Sequence, residues 1–138
     1  MEVQYLNEFK SAAKLFTLSG NRILVERLDT GEIKSKGGII LAESTAYKSD
    51  LKSHKPLVCM VLAVGEGYTQ EDKDEKIPLD VKPGDVVVLN ALGVSFFSTL
   101  PGVASYTEMR VGITSESDVQ MRFASLEHFE EYTKVFNG

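Results

Sequence analysis

Few residues in this chain have side chains suited to chemistry. It contains one cysteine, Cys59, and two histidines, His54 and His128. Cys59 would serve as a nucleophile only with a histidine beside it in space, and its valine-rich surroundings, Leu57 to Val64, fit an inert core thiol better. His54 stands between Ser53 and Lys55 in a polar stretch and His128 lies beside glutamates, so both read as solvated surface groups. Gly65-Glu66-Gly67 follows a predicted strand, but the third glycine of a dinucleotide loop is missing. The residues after it are also too charged for a helix that would hold a pyrophosphate, so a tight turn is expected. No G-x-S-x-G elbow, H-E-x-x-H, C-x-x-C or P-loop occurs. The expectation is a protein with no catalytic residue, no metal site and no cofactor of its own.

Composition narrows the function classes further. The chain has 138 residues, 43% hydrophobic and 25% charged, which suits one domain with one core. Fifteen Lys plus Arg against twenty Asp plus Glu give a net charge of −5, unfavourable for binding nucleic acid phosphates. The longest apolar run, Leu57 to Val64, is too short to span a bilayer, and no basic-then-apolar signal opens the chain. A cytosolic protein without membrane or nucleic-acid partners is expected. One cysteine excludes an internal disulfide framework.

The elements around these residues are mostly short strands. Val3, Leu6, Phe9 and Ala13 fall at roughly helical spacing, a short amphipathic segment. From Phe16 the period becomes two, with Phe16 and Leu18 alternating with Thr17 and Ser19, and a second strand-like run covers Ile23 to Val25. Leu57 to Val64, bounded by Pro56 and Gly65, reads as a strand buried on both faces. Lys82-Pro83-Gly84-Asp85 is a strong turn signal, because proline presets the first corner and glycine takes the positive φ of the second. Asp85 to Leu89 and Val94 to Phe97 read as strands, Pro101-Gly102 as a turn, and Thr107, Met109, Val111 and Ile113 as one face of a further strand. Val119, Met121 and Phe123 then alternate with Gln120 and Arg122. Residues 126–136 return to helical spacing, with Ser125 as N-cap, Glu127 early and Lys134 late to suit the helix dipole. Short strands with turns between them and no strand-helix alternation indicate an all-β barrel or sandwich.

Residues 29–56 differ in kind, being rich in Lys, Ser, Gly and Ala without a sustained period. Within them stands Gly37-Gly38-Ile39-Ile40-Leu41, large apolar side chains behind flexible glycines. A short edge strand tucked onto the barrel accounts for this, and so does an exposed anchor that orders on meeting a partner. Burying three such side chains gains roughly 1.5 to 3 kcal/mol each, against about 1 to 2 kcal/mol per residue for ordering the loop. One loop alone would bind weakly, and several copies presented together would bind well.

Phe16 with Leu18, and Val119 with Met121 and Phe123, lie near opposite ends of the chain, and open strand edges must be covered or paired. They either pair with each other within one subunit or pair with counterparts in neighbours. The second arrangement is head-to-tail and can close a ring.

With these residues in view, the chain resembles the GroES family of co-chaperonins, from about Phe16 to Phe123. Asn21-Arg22-Ile23-Leu24-Val25 looks like the family's first core strand, and Gly37-Gly38-Ile39-Ile40-Leu41 like its mobile-loop anchor. Val61-Leu62-Ala63-Val64-Gly65-Glu66-Gly67 is similar to the strand entering its roof, and Ser115-Glu116-Ser117-Asp118-Val119 to its closing turn. The run Pro78-Leu79-Asp80-Val81-Lys82-Pro83-Gly84-Asp85-Val86-Val87-Val88 resembles its most recognisable block. The resemblance implies a small irregular β-barrel over residues 14–123, with a mobile loop at 29–56 and a roof hairpin at 65–78. Residues 1–13 would be an N-terminal extension and 124–138 a C-terminal helical one. It further implies a heptameric ring that docks on a GroEL-type chaperonin, with ATP bound by that partner, unfolded proteins as clients, and a bacterial or phage-infected cytoplasm as its setting. Ile39, Ile40 and Leu41 would enter the partner's hydrophobic groove, with Gly37 and Gly38 giving the loop its freedom. Glu66, Glu71, Asp72, Asp74 and Glu75 would converge at the roof and keep it soft by repulsion at low salt. Phe16, Leu18, Val119, Met121 and Phe123 would make the ring contacts, and Leu92 would face the chamber.

The chain departs from the family's pattern in its longer loop and in additions at both ends. Divergent members of this kind occur in phages. A monomeric adaptor or virion-assembly factor using the same loop is the alternative reading, ahead of a dehydrogenase-type barrel fragment, for which neither a cysteine set nor a dinucleotide fold is present.

Overall fold

A computed structural model describes residues 3–28, 56–69, 76–103 and 109–137. A short helix, α1 (Leu6–Ala12), leads into strands β1 (Arg22–Arg27) and β2 (Pro56–Val64). There follow β3 (Tyr68–Thr69), β4 (Lys76–Ile77), β5 (Val86–Asn90), β6 (Ser95–Phe96), β7 (Val111–Ser115), β8 (Val119–Phe123) and a helix, α2 (Leu126–Asn137). Single 3-10 turns at Ala91–Gly93 and Glu116–Asp118 connect β5 to β6 and β7 to β8.

Six strands form one antiparallel sheet in the order β6-β7-β1-β2-β5-β8, while β3 and β4 make a separate two-stranded hairpin. The period-two pattern of the central strands sorts their side chains onto two sides. Ile23, Val25, Cys59, Val61, Val87 and Leu89 point into an interior closed by Leu79, Val81, Ala91 and Val94. Phe96 on β6 and Val119 on β8, the two edge strands, both pack against this same cluster, so the sheet curls around it into a small barrel. A register shift between Leu24 and Val25 opposite β2 bends the sheet where the Lys82–Asp85 turn is stitched to it. There the Gly84 N–H donates to the Val61 carbonyl at 2.8 Å and the Val61 N–H to the Asp85 carbonyl at 2.8 Å.

The opposite, outer side of the sheet is covered by both ends of the chain. Tyr5, Leu6, Phe9, Phe16 and Leu18 lie over Leu24, Leu62, Ala63 and Val111. Val3, Leu6, Leu126 and Phe129 lie over Leu28, Met60 and Val86. In α2 only Phe129 is buried, and it meets Phe123 edge-on with ring centroids 5.2 Å apart. Such a side chain contributes about 1.5–3 kcal/mol by burial. The expected Ser125 cap is present, its Oγ accepting the His128 N–H at 3.2 Å.

Most expected strands form where the pattern placed them, with three corrections. Phe16 to Leu18 is not a strand: Phe16 and Leu18 alternate towards the outer cluster while Thr17 and Ser19 face solvent, without a ladder partner. The alternation records one buried side rather than pairing. The strand expected to include Met109 begins at Val111, because Met109 and Arg110 form a turn, and Thr107 lies outside the described residues. In β8 only Val119 and Phe123 are half-buried, whereas Met121 is 44% exposed.

Candidate functional site

The strands on either side of the segment that carries the apolar tripeptide are adjacent in the sheet. Arg27 at the end of β1 faces Cys59 of β2, and the Leu28 N–H donates to the Val58 carbonyl at 2.9 Å. The chain therefore leaves and re-enters the barrel at neighbouring positions of two central strands. Gly37, Gly38, Ile39, Ile40 and Leu41 themselves lie outside the described residues.

The hairpin pairs Tyr68 with Ile77 and Thr69 with Lys76. Glu66 at its root is exposed, and Glu71, Asp72, Asp74 and Glu75 lie outside the described residues. Gly65-Glu66-Gly67 is a close-approach turn rather than a phosphate loop. The Gly65 N–H donates to the Arg22 carbonyl at 2.8 Å and the Gly67 N–H to the Gly20 carbonyl at 3.0 Å. A Cβ on Gly65 would stand 2.3 Å from the Gly20 oxygen, so the glycines let two backbones touch.

One carboxylate fastens this hairpin to the barrel. Glu116 accepts the Tyr68 hydroxyl at 3.0 Å through Oε1, and through Oε2 the N–H groups of Asp80 at 2.8 Å and Val81 at 3.3 Å. Loss of hydration, together with the Glu116 contact, raises the Tyr68 pKa above its ordinary 10.0. The role of Glu116 was not foreseen, since its partners lie 35 or more residues away in sequence.

Of the residues expected to meet neighbours, Phe16 and Leu18 are half-buried on the outer side, with Phe16 edge-on to Phe9 at 6.0 Å. Val119, Met121 and Phe123 pair with Leu89, Val88 and Val86 of β5. The two groups therefore do not pair with each other in one protomer, and β8 is an edge strand of the sheet. Leu92 sits in the 3-10 turn, 63% exposed, with its N–H donated to Asn90 Oδ1 at 3.0 Å.

Of the side chains suited to chemistry, Cys59 and His128 are described, and His54 lies outside the described residues. Cys59 is fully buried, and burial, only partly offset by Arg27, pushes its thiol up to about 12. His128 is exposed and contacts Ser125 Oγ through Nδ1 at 2.6 Å. Among the described residues no group of three or more His, Cys, Asp or Glu is arranged to hold a metal ion, and no helix is long and apolar enough to cross a membrane.

The sequence pattern of the Chaperonin 10 Kd subunit family matches residues 16–97, from the outer-side Phe16 to Phe97, just past β6. The chain belongs to this chaperonin 10 family. It is similar to the Co-chaperonin GroES of Shewanella denitrificans, 46% identical over 70 residues that make up 51% of this chain and 64% of that protein. It is also similar to the Co-chaperonin GroES of Thermus thermophilus, 39% identical over 74 residues, 54% of this chain and 64% of that protein. The match thus spans less than two thirds of these relatives. The small all-β barrel of the chaperonin 10 chain agrees with this family, and α1 and α2 lie outside the matched residues.

Proposed function

We propose that this chain is a co-chaperonin: a ring-forming, non-catalytic lid that closes a GroEL-type chaperonin over unfolded client proteins, in the bacterial cytoplasm. The observation that carries this reading is the family match over residues 16–97, which includes the loop between β1 and β2. Ile39, Ile40 and Leu41 would be the anchor, released by Gly37 and Gly38. One tripeptide binds weakly, so the grip would come from several loops held in one ring, each raising the effective concentration of the next. The chain would need no cofactor of its own, because the partner binds the ATP and its hydrolysis times release.

The ring contact would be head-to-tail, with the edge of β8 of one copy meeting the Phe16 to Leu18 segment of the next. Support comes from β8 standing at the edge of the sheet and from that segment having no strand partner within the protomer. A heptamer is the expected size. Glu66 with Glu71, Asp72, Asp74 and Glu75 would surround the roof opening, and Leu92 would look into the chamber.

Replacing Ile39, Ile40 and Leu41 with serine should abolish ATP-dependent capture by a GroEL-type chaperonin while particle size stays that of the wild type. Retained capture would refute the anchor assignment, and a monomer by native mass measurement would favour an adaptor instead.

A further inference from the structure

The last turns of α2 present an apolar surface that the protomer leaves uncovered. Phe123, Tyr132 and Phe136 form a row of rings, with centroids 5.0 Å apart between the first two and 5.1 Å between the last two. Exposure grows along it, from 39% at Tyr132 to 72% at Phe136, with Val135 at 78%. The row begins on β8, the strand at the sheet edge, and passes onto α2, whose Phe129 shares the outer cluster with Leu6 of α1.

A matching concavity lies on the same outer side of the molecule. Lys10, Ala13, Phe16, Leu18 and Leu62 contribute to a groove of about 200 Å³. Leu15, next in sequence to the groove residue Phe16, is 83% exposed. The one charged side chain lining the groove is Lys10, whereas α2 carries Glu127, Glu130 and Glu131 with Lys134. The helix is net negative and the groove net positive.

We infer that the C-terminal end of α2 docks on a second copy of this chain, with Tyr132, Val135 and Phe136 seated in the groove that Lys10, Ala13, Phe16 and Leu18 form on the neighbour. The inference rests on the head-to-tail reading above and extends it from the strands to the layer outside them. If the edge of β8 meets Phe16 to Leu18 of the next copy, the outer layers beside those two segments are brought together. On one side that layer is Tyr132 and Phe136, in ring contact with Phe123 through Tyr132. On the other it is the groove, of which Phe16 and Leu18 are walls. Opposite net charge favours this juxtaposition over one of α2 with α2.

Cross-linking between engineered cysteines tests this directly, because the native Cys59 is fully buried, away from a surface reagent. Full-length Leu15→Cys chains are mixed with Phe136→Cys chains and treated with a short bis-maleimide. A covalent dimer that requires both variants is the expected product. A second mixture, Thr17→Cys with Gln120→Cys, reads the strand contact alone. In parallel, the Val135→Asp/Phe136→Asp chain should dissociate at a protein concentration about tenfold or more above that of the wild type, the scale of losing one buried apolar contact, with unchanged circular dichroism. If the strand pair couples but the helix pair does not, and the aspartate variant assembles like the wild type, the inference is overturned and the head-to-tail reading stands. If the strand pair also fails to couple, both fall.

Discussion

The Glu26 carboxylate and the Arg110 guanidinium meet at 3.3 Å on the outer side of the sheet, both almost completely withdrawn from solvent. Glu26 also accepts the backbone N–H groups of Gln4 and Tyr5, each at 2.8 Å, so β1 holds the entrance of α1 as well as the Arg110 turn. No side-chain cap within α1 does this work. A buried charge so shared costs more to break than to replace in full. Glu26→Ala should therefore destabilise the protein by about 3–5 kcal/mol in urea unfolding, with faster amide exchange at Gln4 and Tyr5. The Glu26→Leu/Arg110→Met double variant should lose less than the single one, and a double variant worse than Glu26→Ala would show that the pair contributes net stability.

Glu116 is expected to control the hairpin root. Glu116→Ala removes the acceptor of Tyr68, Asp80 and Val81, each bond being worth about 0.5–1.5 kcal/mol or more with a charged acceptor. Hydrogen exchange at the Asp80 and Val81 amides should accelerate while the β1 and β2 amides stay protected. The Tyr68 phenol, raised above 10.0, keeps its proton longer in the folded state than in the unfolded one. Its stabilising contribution is complete below the unfolded value and is lost as pH rises through the folded value. Phenolate absorbance should show one tyrosine titrating late, and Glu116→Ala should return it towards the ordinary range.

Two glycines with positive φ separate backbone strain from collision. Gly84 has φ +95 with open space where a Cβ would stand, whereas Gly67 has φ +104 and its Cβ would lie 2.0 Å from the Ile77 carbonyl oxygen. Gly84→Ala should cost about 1–2 kcal/mol, the left-handed penalty alone. Gly67→Ala should cost distinctly more and should also push the Ile77 end of β4 away from Gly67. Thermal unfolding of the two variants checks the order, and equal losses would contradict the clash.

Much of the barrel could be read from local pattern, because burial imposes a regular signal. The continuous apolar run of β2 reflects a strand covered on both faces, and the spacing of Leu126, Phe129 and Phe136 behind Ser125 marks α2. Phe16 and Leu18 misled because burial on one side produces the same alternation with or without a paired neighbour. Met121 misled in the other direction, its exposed face belonging to an edge strand. Glu26 and Arg110 are 84 residues apart, and nothing in the local pattern of β1, which also carries Arg22 and Arg27, points from one to the other. Residues 29–55, where the expected anchor lies, fall outside the described structure, so their part in function is an expectation drawn from composition and family.

Because both terminal additions lie against the same side of the sheet, they are insulated from the barrel's contents. The described side chains of the interior cluster fall between Ile23 and Val119, and none comes from α1 or α2. Selection could therefore lengthen, trim or recharge either helix without repacking the lining of the barrel. Change in the two layers can proceed at separate rates, with the sheet as the partition.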